Sequence, residues 1–156
     1  MALLKEGKKV ALCSEAGTPL ISDPGALLVR RAHEEGLKVE PVPGPSALTA
    51  ALQASGVDAG NGFIFLGFLP RKKKDFKEIL KYFYLELPVV AYISPHRFNT
   101  EVSALYEELG ERQCFLAREI TKLHEELIFS SLSELKEREN IKGEITLIIF
   151  PEEKRR

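Results

Sequence analysis

The sequence predicts an α/β protein, and three observations carry that expectation. Short apolar runs alternate with stretches whose apolar residues recur at helical spacing, and turns rich in Gly and Pro separate them. No internal repeat or low-complexity segment interrupts the alternation. The 156 residues are 44% hydrophobic and 29% charged, enough apolar content for a buried core and too much for a disordered chain. Charge narrows the partners: 22 Lys+Arg against 23 Asp+Glu exclude a polycation, so any nucleic-acid contact must come from a local patch.

The elements follow in order. Residues 9–13 form a short apolar run suited to a buried strand. After a loop, Asp23 as N-cap and Pro24 at the first helical position open a helix through Leu27, Leu28 and Ala32 that stops at Gly36. Residues 37–42 read as a second strand, and the Pro43-Gly44-Pro45-Ser46 turn opens a helix over 47–54 closed by Gly56. A second unit starts near residue 61 with an apolar strand over 62–67. A helix over 75–84 follows, with Phe76, Ile79, Leu80 and Phe83 on one face. Residues 88–93 are a strand. Ser94-Pro95 start a helix with Phe98, Val102, Leu105 and Leu109 at helical spacing, ended by Gly110. Strands are expected over 113–118, 126–130 and 144–150, and Ser131 and Glu134 have capping-box spacing for a short helix between the last two. The expected domains are 1–60 and 61–156. Two strands are too few for a covered parallel sheet, so the first domain reads as incomplete.

The longest apolar stretches, 63–69 and 145–150, fall short of the roughly 18 residues of a membrane span. The quickly charged start Met1-Ala-Leu-Leu-Lys5 is not a secretory signal, so the expected location is cytoplasmic, away from the membrane. Cys13 and Cys114 have no metal-ligand spacing, no metal is expected, and both read as small buried hydrophobes.

Four segments could carry chemistry. Ser14-Glu15-Ala16-Gly17-Thr18-Pro19 follows a strand and precedes a helix, and its small residues let backbone approach a ligand; a plain capped turn explains it equally well. The turn at Ser46 and Ala47 is similar, and two such turns after successive strands would lie side by side. Arg71-Lys72-Lys73-Lys74 opens a helix against its dipole, which favours phosphate contacts over a merely solvated face. The segment 118–126, with Arg118, Glu119, Thr121, Lys122, His124 and Glu125, is an unusually polar connection between two strands. His96 and Arg97 lie at another strand end, and His33 reads as exposed and inert.

Six segments occur in the order found in one family: residues 14–25, 43–56, 67–74, Tyr92-Ile93-Ser94-Pro95-His96-Arg97, 118–125 and 143–149. They resemble the ribosomal-RNA-modifying branch of the tetrapyrrole (corrin/porphyrin) methylase superfamily over essentially the whole chain. The resemblance implies a two-domain α/β fold with an incomplete N-terminal domain and a complete C-terminal mixed-sheet domain. It implies a homodimer and S-adenosylmethionine-dependent 2′-O-methylation of a cytidine ribose in 16S rRNA of the 30S subunit. The donor would lie between the domains, against Ser14, Ala16, Gly17, Thr18, Pro19, Ile21, Ser46, Ala47, Phe68, Leu69, Ala117, Gly143, Glu144 and Ile145. RNA contacts fall to Arg71, Lys72, Lys73, Lys74, Arg97 and Arg118. Lys122 is the candidate to activate the hydroxyl, with Glu119 or Glu125 orienting it; a lysine can do so only with a lowered pKa. Relative to the family pattern, Glu15 stands for Asp and Ile93 for Glu, and the segment that precedes the first motif in relatives is missing. Two alternatives stay open: a tetrapyrrole or other small-molecule methyltransferase of the same fold, and an inactive module that dimerises or binds RNA. Gly17-Thr18-Pro19, in place of the Gly-Asp-Pro of relatives acting on tetrapyrroles, argues against the first.

Overall fold

The computed structural model describes residues 1–152, and the chain divides into two compact units, Met1–Ser46 and Ala47 onward. The last four residues of the expected 61–156 domain lie outside the described residues.

In the first unit the secondary structure is two helices, α1 (Ala2–Lys5) and α2 (Ala26–Glu34). The strands expected over 9–13 and 37–42 do not form. A strand exists only where a neighbour takes its backbone N–H and C=O groups, and neither run finds one among the described residues. Cys13, expected to be buried, is exposed for the same reason. α2 also starts later than expected: its N-cap is Gly25, not Asp23, and Pro24 lies outside the helix. Leu20 and Ser22 take positive φ values of 73° and 62°, so the chain is still turning there, and it enters the helix only at Gly25 (φ 129°).

The second unit is a three-layer sandwich. Its sheet comprises β1 (Ile64–Phe68), β2 (Val89–Ile93), β3 (Gln113–Arg118), β4 (Glu126–Ser131) and β5 (Ile145–Ile149), in the spatial order β1-β2-β5-β3-β4. β1 and β2 are parallel and every other pairing is antiparallel, the expected mixed sheet. Strand alternation splits the core in two. Val89, Ala91, Ile93, Cys114, Leu116, Ile145, Leu147 and Ile149 face one side, packed with Phe76 of α4 (Lys73–Ile79), Phe98, Val102 and Leu105 of α5 (Phe98–Leu109), and Leu132 and Leu135 of α6 (Leu132–Lys136). Val90, Phe115, Ala117 and Ile148 face the other, under Leu48 and Ala51 of α3 (Ala47–Ser55). Helix α3 thus belongs to this core, not with residues 1–46.

The expected helix over 75–84 is α4 followed by a 3-10 turn, Leu80–Tyr84, and the expected helix from Pro95 is a 3-10 turn, Pro95–Arg97, leading into α5. α6 carries the expected capping box: Glu134 N–H donates to Ser131 Oγ at 3.3 Å, and Ser131 N–H donates to Glu134 Oε2 at 3.2 Å. Among the described residues no helix is long and apolar enough to cross a membrane.

Candidate functional site

The strand directions gather the candidate residues of the second unit at one rim. β1, β2 and β3 end where β5 and β4 begin, so Phe68, Ile93, Arg118, Ile145 and Glu126 share one edge of the sheet. At this rim β1 is bulged. Phe65 pairs with Val90 but Phe68 with Tyr92, so an extra residue is accommodated, and Gly67 takes φ 63° there. The bulge turns the Phe68 ring outward, 55% exposed, with its edge on Tyr92 at 5.6 Å. Leu69 then points inward and is buried. Ala117 and Ile145 are buried too, one under α3 and the other on the opposite face. Of the residues expected to wall a donor here, Phe68, Gly143 and Glu144 offer accessible surface, whereas Leu69, Ala117 and Ile145 are buried.

The segment 119–125 is exposed from Thr121 onward but tied down by side-chain hydrogen bonds. Arg118 donates through Nη1 to the Lys142 carbonyl (3.0 Å) and through Nη2 to the His124 carbonyl (3.1 Å) and Glu126 Oε1 (2.7 Å). Glu126 Oε2 accepts in turn from Arg138 at 2.8 Å. The Arg118 guanidinium beside it holds the Glu126 carboxyl below the usual range. Arg118 is therefore engaged within the protein, and a phosphate contact would have to displace these bonds.

Beyond Arg118 the chain turns through Glu119 (φ 48°) and Thr121 (φ 65°), left-handed conformations that cost non-glycine residues on the order of 1–3 kcal/mol. The compensation is visible. Glu119 N–H donates to the Glu144 carbonyl at 2.9 Å, and Glu144 N–H donates to Glu119 Oε1 at 2.7 Å. Thr121 N–H donates to the Glu125 carboxylate. Lys122 Nζ lies 3.0 Å from both Glu119 Oε1 and Glu144 Oε2. These carboxylates raise the Lys122 pKa, and the Glu144 N–H lowers that of Glu119. A lysine that accepts a proton needs the opposite displacement, so the structure runs against Lys122 as a base.

Arg97, expected on the RNA side, faces inward. Its Nη1 sits 2.7 Å from Glu101 Oε1, and Nη2 is 3.5 Å from the Leu69 carbonyl. Sequence reasoning passed over Glu101, which is 6% exposed on the first turn of α5. Burial pushes its carboxyl up to about 7, against the pull of Arg97 and Arg71. The available signal was the Arg97–Glu101 i,i+4 spacing. By contrast, Arg71, Lys72, Lys73 and Lys74 are all exposed at the start of α4, where Lys72 is the N-cap and makes no side-chain cap bond. Asp75 in the first turn offsets part of the unfavourable dipole contact.

In the first unit the two small-residue turns meet, as expected. Thr18 Oγ1 donates to the Pro45 carbonyl at 2.8 Å, and Ser14 Oγ closes its own turn on the Gly17 carbonyl at 2.7 Å. Ala16, Gly17 and Ile21 are exposed, while Ser14, Thr18, Pro19 and Ser46 are half-buried. A side chain added at Gly17, itself at φ 73°, would stand 3.7 Å from the Pro45 carbonyl oxygen. Such exposed small-residue backbone fits a ligand recognised through main-chain groups. His33 is exposed, as expected. Among the described residues no group of three His, Cys, Asp or Glu side chains could hold a metal ion.

The family model for Tetrapyrrole (Corrin/Porphyrin) Methylases matches residues 1–136. A curated relative from Thermotoga maritima, Ribosomal RNA small subunit methyltransferase I, is 45% identical over 98% of this chain and 70% of its own length. The proteins of the same name from Coprothermobacter proteolyticus and Bacillus subtilis are 42% and 41% identical, over 96% and 94% of this chain and 67% and 51% of theirs. The chain thus spans from about half to 70% of the length of such relatives. Among solved structures, the methyltransferase CobJ has a TM-score of 0.69 at 22% identity, covering 96% of this chain and 67% of that one, a likeness of fold. Uroporphyrin-III C-methyl transferase from Thermus thermophilus, complexed with S-adenyl homocysteine, gives 0.58 at 17%, covering 85% and 62%. On these matches the chain belongs to the tetrapyrrole methylase family and, within it, to the ribosomal RNA small subunit methyltransferase I group.

Proposed function

We propose that this chain serves S-adenosylmethionine-dependent 2′-O-methylation of a cytidine ribose in 16S rRNA of the 30S subunit, in the cytoplasm and as a homodimer. The observation that carries the reading is its 45% identity with a small-subunit rRNA methyltransferase over nearly its whole length. The donor, when bound, supplies an electrophilic methyl group on a sulfonium. Passing that methyl to the ribose oxygen would be an in-line displacement.

Such a displacement depends mainly on alignment. Donor contacts are assigned to Ser14, Ala16, Gly17, Thr18, Pro19, Ile21 and Ser46 in the first unit. In the second they fall to Ala47, Phe68, Gly143 and Glu144, with the backbone of Leu69, Ala117 and Ile145. RNA phosphates fall to Arg71, Lys72, Lys73 and Lys74, whose exposure supports the role. Arg97 and Arg118 reach RNA only by exchanging their present partners. Calorimetric titration of the folded chain with S-adenosylhomocysteine tests the donor assignment. Micromolar binding is expected, and the absence of heat would overturn it.

A further inference from the structure

The contacts around Lys122, expected from the sequence to be a base, point to a different role for it. Glu119 and Glu144 lie 25 residues apart in sequence, yet two hydrogen bonds tie the end of β3 to the residue before β5. The Glu119 N–H reaches the Glu144 carbonyl (2.9 Å), and the Glu144 N–H reaches Glu119 Oε1 (2.7 Å). The Glu119 side chain occupies the space a residue-143 side chain would need. A Cβ built on Gly143 would lie 2.5 Å from Glu119 Cγ and Oε1, and Gly143 itself holds φ 91°. Glycine is thus required twice over, for its conformation and for room. Two carboxylates brought this close repel one another, and Lys122 Nζ lies between them, 3.0 Å from each. The lysine is delivered there by a tight turn, in which Lys122 N–H donates to the Glu119 carbonyl and Glu125 N–H to the Lys122 carbonyl.

We infer that Lys122 is a positioning residue: by bridging Glu119 and Glu144 it fixes the Gly143–Glu144 peptide that faces the methyl donor, and it takes no proton in the reaction. The inference rests on the proposed donor site and extends it. Because the bridge is solvent-exposed, its effect is expected to be a modest one on donor affinity, not a collapse of chemistry.

The test uses Lys122→Gln and Lys122→Arg in the full 156-residue chain, with three readouts. Without ligand, amide hydrogen exchange of Glu144 is expected to speed up about tenfold in K122Q and to recover in K122R. The dissociation constant for S-adenosylhomocysteine is expected to rise about five- to tenfold in K122Q and return to within twofold in K122R. Methyl-transfer kcat at saturating donor stays within about threefold of wild type in both. Unchanged Glu144 exchange in K122Q overturns the clamp whatever the donor does. A loss of kcat beyond a hundredfold at unchanged donor affinity returns Lys122 to the role of base. Faster exchange with unaltered affinity refutes the link to the donor. A wild-type chain that binds no S-adenosylhomocysteine refutes the donor reading beneath both.

Discussion

Arg97→Ala isolates the buried ion pair. In the wild type Glu101 is 6% exposed, its carboxylate 2.7 Å from Arg97, with a pKa pushed up to about 7 by burial. Because the folded value lies above the ordinary 4.5, the native state binds the proton more tightly than the unfolded chain. The stability this contributes is full below pH 4.5 and is lost as pH rises through 7. Removing Arg97 takes away the cation that holds the value down, so it climbs further. At pH 5.5 the native carboxyl is neutral with or without Arg97, and the variant loses packing, the polar contact with the neutral Glu101 carboxyl and a weak bond to the Leu69 carbonyl, about 1–2 kcal/mol. At pH 8 the wild type carries the charge paired, while the variant must remain protonated. At about 1.36 kcal/mol per pH unit between 7 and 8, the added cost is about 1.4 kcal/mol. Protonation caps the cost well below that of a fully unpaired buried charge. Chemical denaturation followed by circular dichroism at both pH values reads this difference. In thermal melts it amounts to about 3–6 °C. Equal destabilisation at pH 5.5 and 8 would refute the buried-pair argument. In R97A/E101Q the pH difference is expected to vanish.

Other outcomes follow from single contacts. Ser131→Ala removes the capping box of α6 and is expected to cost about 1 kcal/mol in urea unfolding, with Ser131→Asp restoring most of it. Of the two thiols, Cys13 is exposed, whereas burial pushes Cys114 up to about 12. Ellman's reagent at pH 8 should therefore titrate one thiol in the native chain and two in denaturant. Replacing Arg71, Lys72, Lys73 and Lys74 together by Ala should lower the slope of log K against log salt for 30S binding by about 3, taking roughly 0.7 per phosphate contact.

What was legible in the sequence was what depends on near neighbours. The helical spacing of Phe98, Val102 and Leu105 gave α5, and Ser131 with Glu134 gave the capped α6. The five strands of the second unit followed from their apolar runs, each within two residues of its expected bounds. Where pairing decides, the reading failed: residues 9–13 and 37–42 have apolar patterns but no ladder partner among the described residues. Asp23 has a favourable N-cap identity, yet positive φ at Leu20 and Ser22 postpones the helix to Gly25. At the site, composition marked 118–126 as unusual but could not assign roles. Those depend on Glu144, a residue from another strand end, whose carboxylate lies 3.0 Å from Lys122 Nζ. Arg97 looked like a surface cation until Glu101 was found buried beside it.

The central claim is donor-dependent methylation of ribosomal RNA, and transfer of labelled methyl from S-adenosylmethionine by this chain tests it most directly. Purified 30S subunits and a tetrapyrrole are offered in parallel, and the modified nucleotide is located by nuclease digestion. The account predicts label on a single 16S cytidine as a 2′-O-methyl group, with none on the tetrapyrrole. Label on the tetrapyrrole alone, or on neither acceptor by a folded chain that binds the donor, would contradict it.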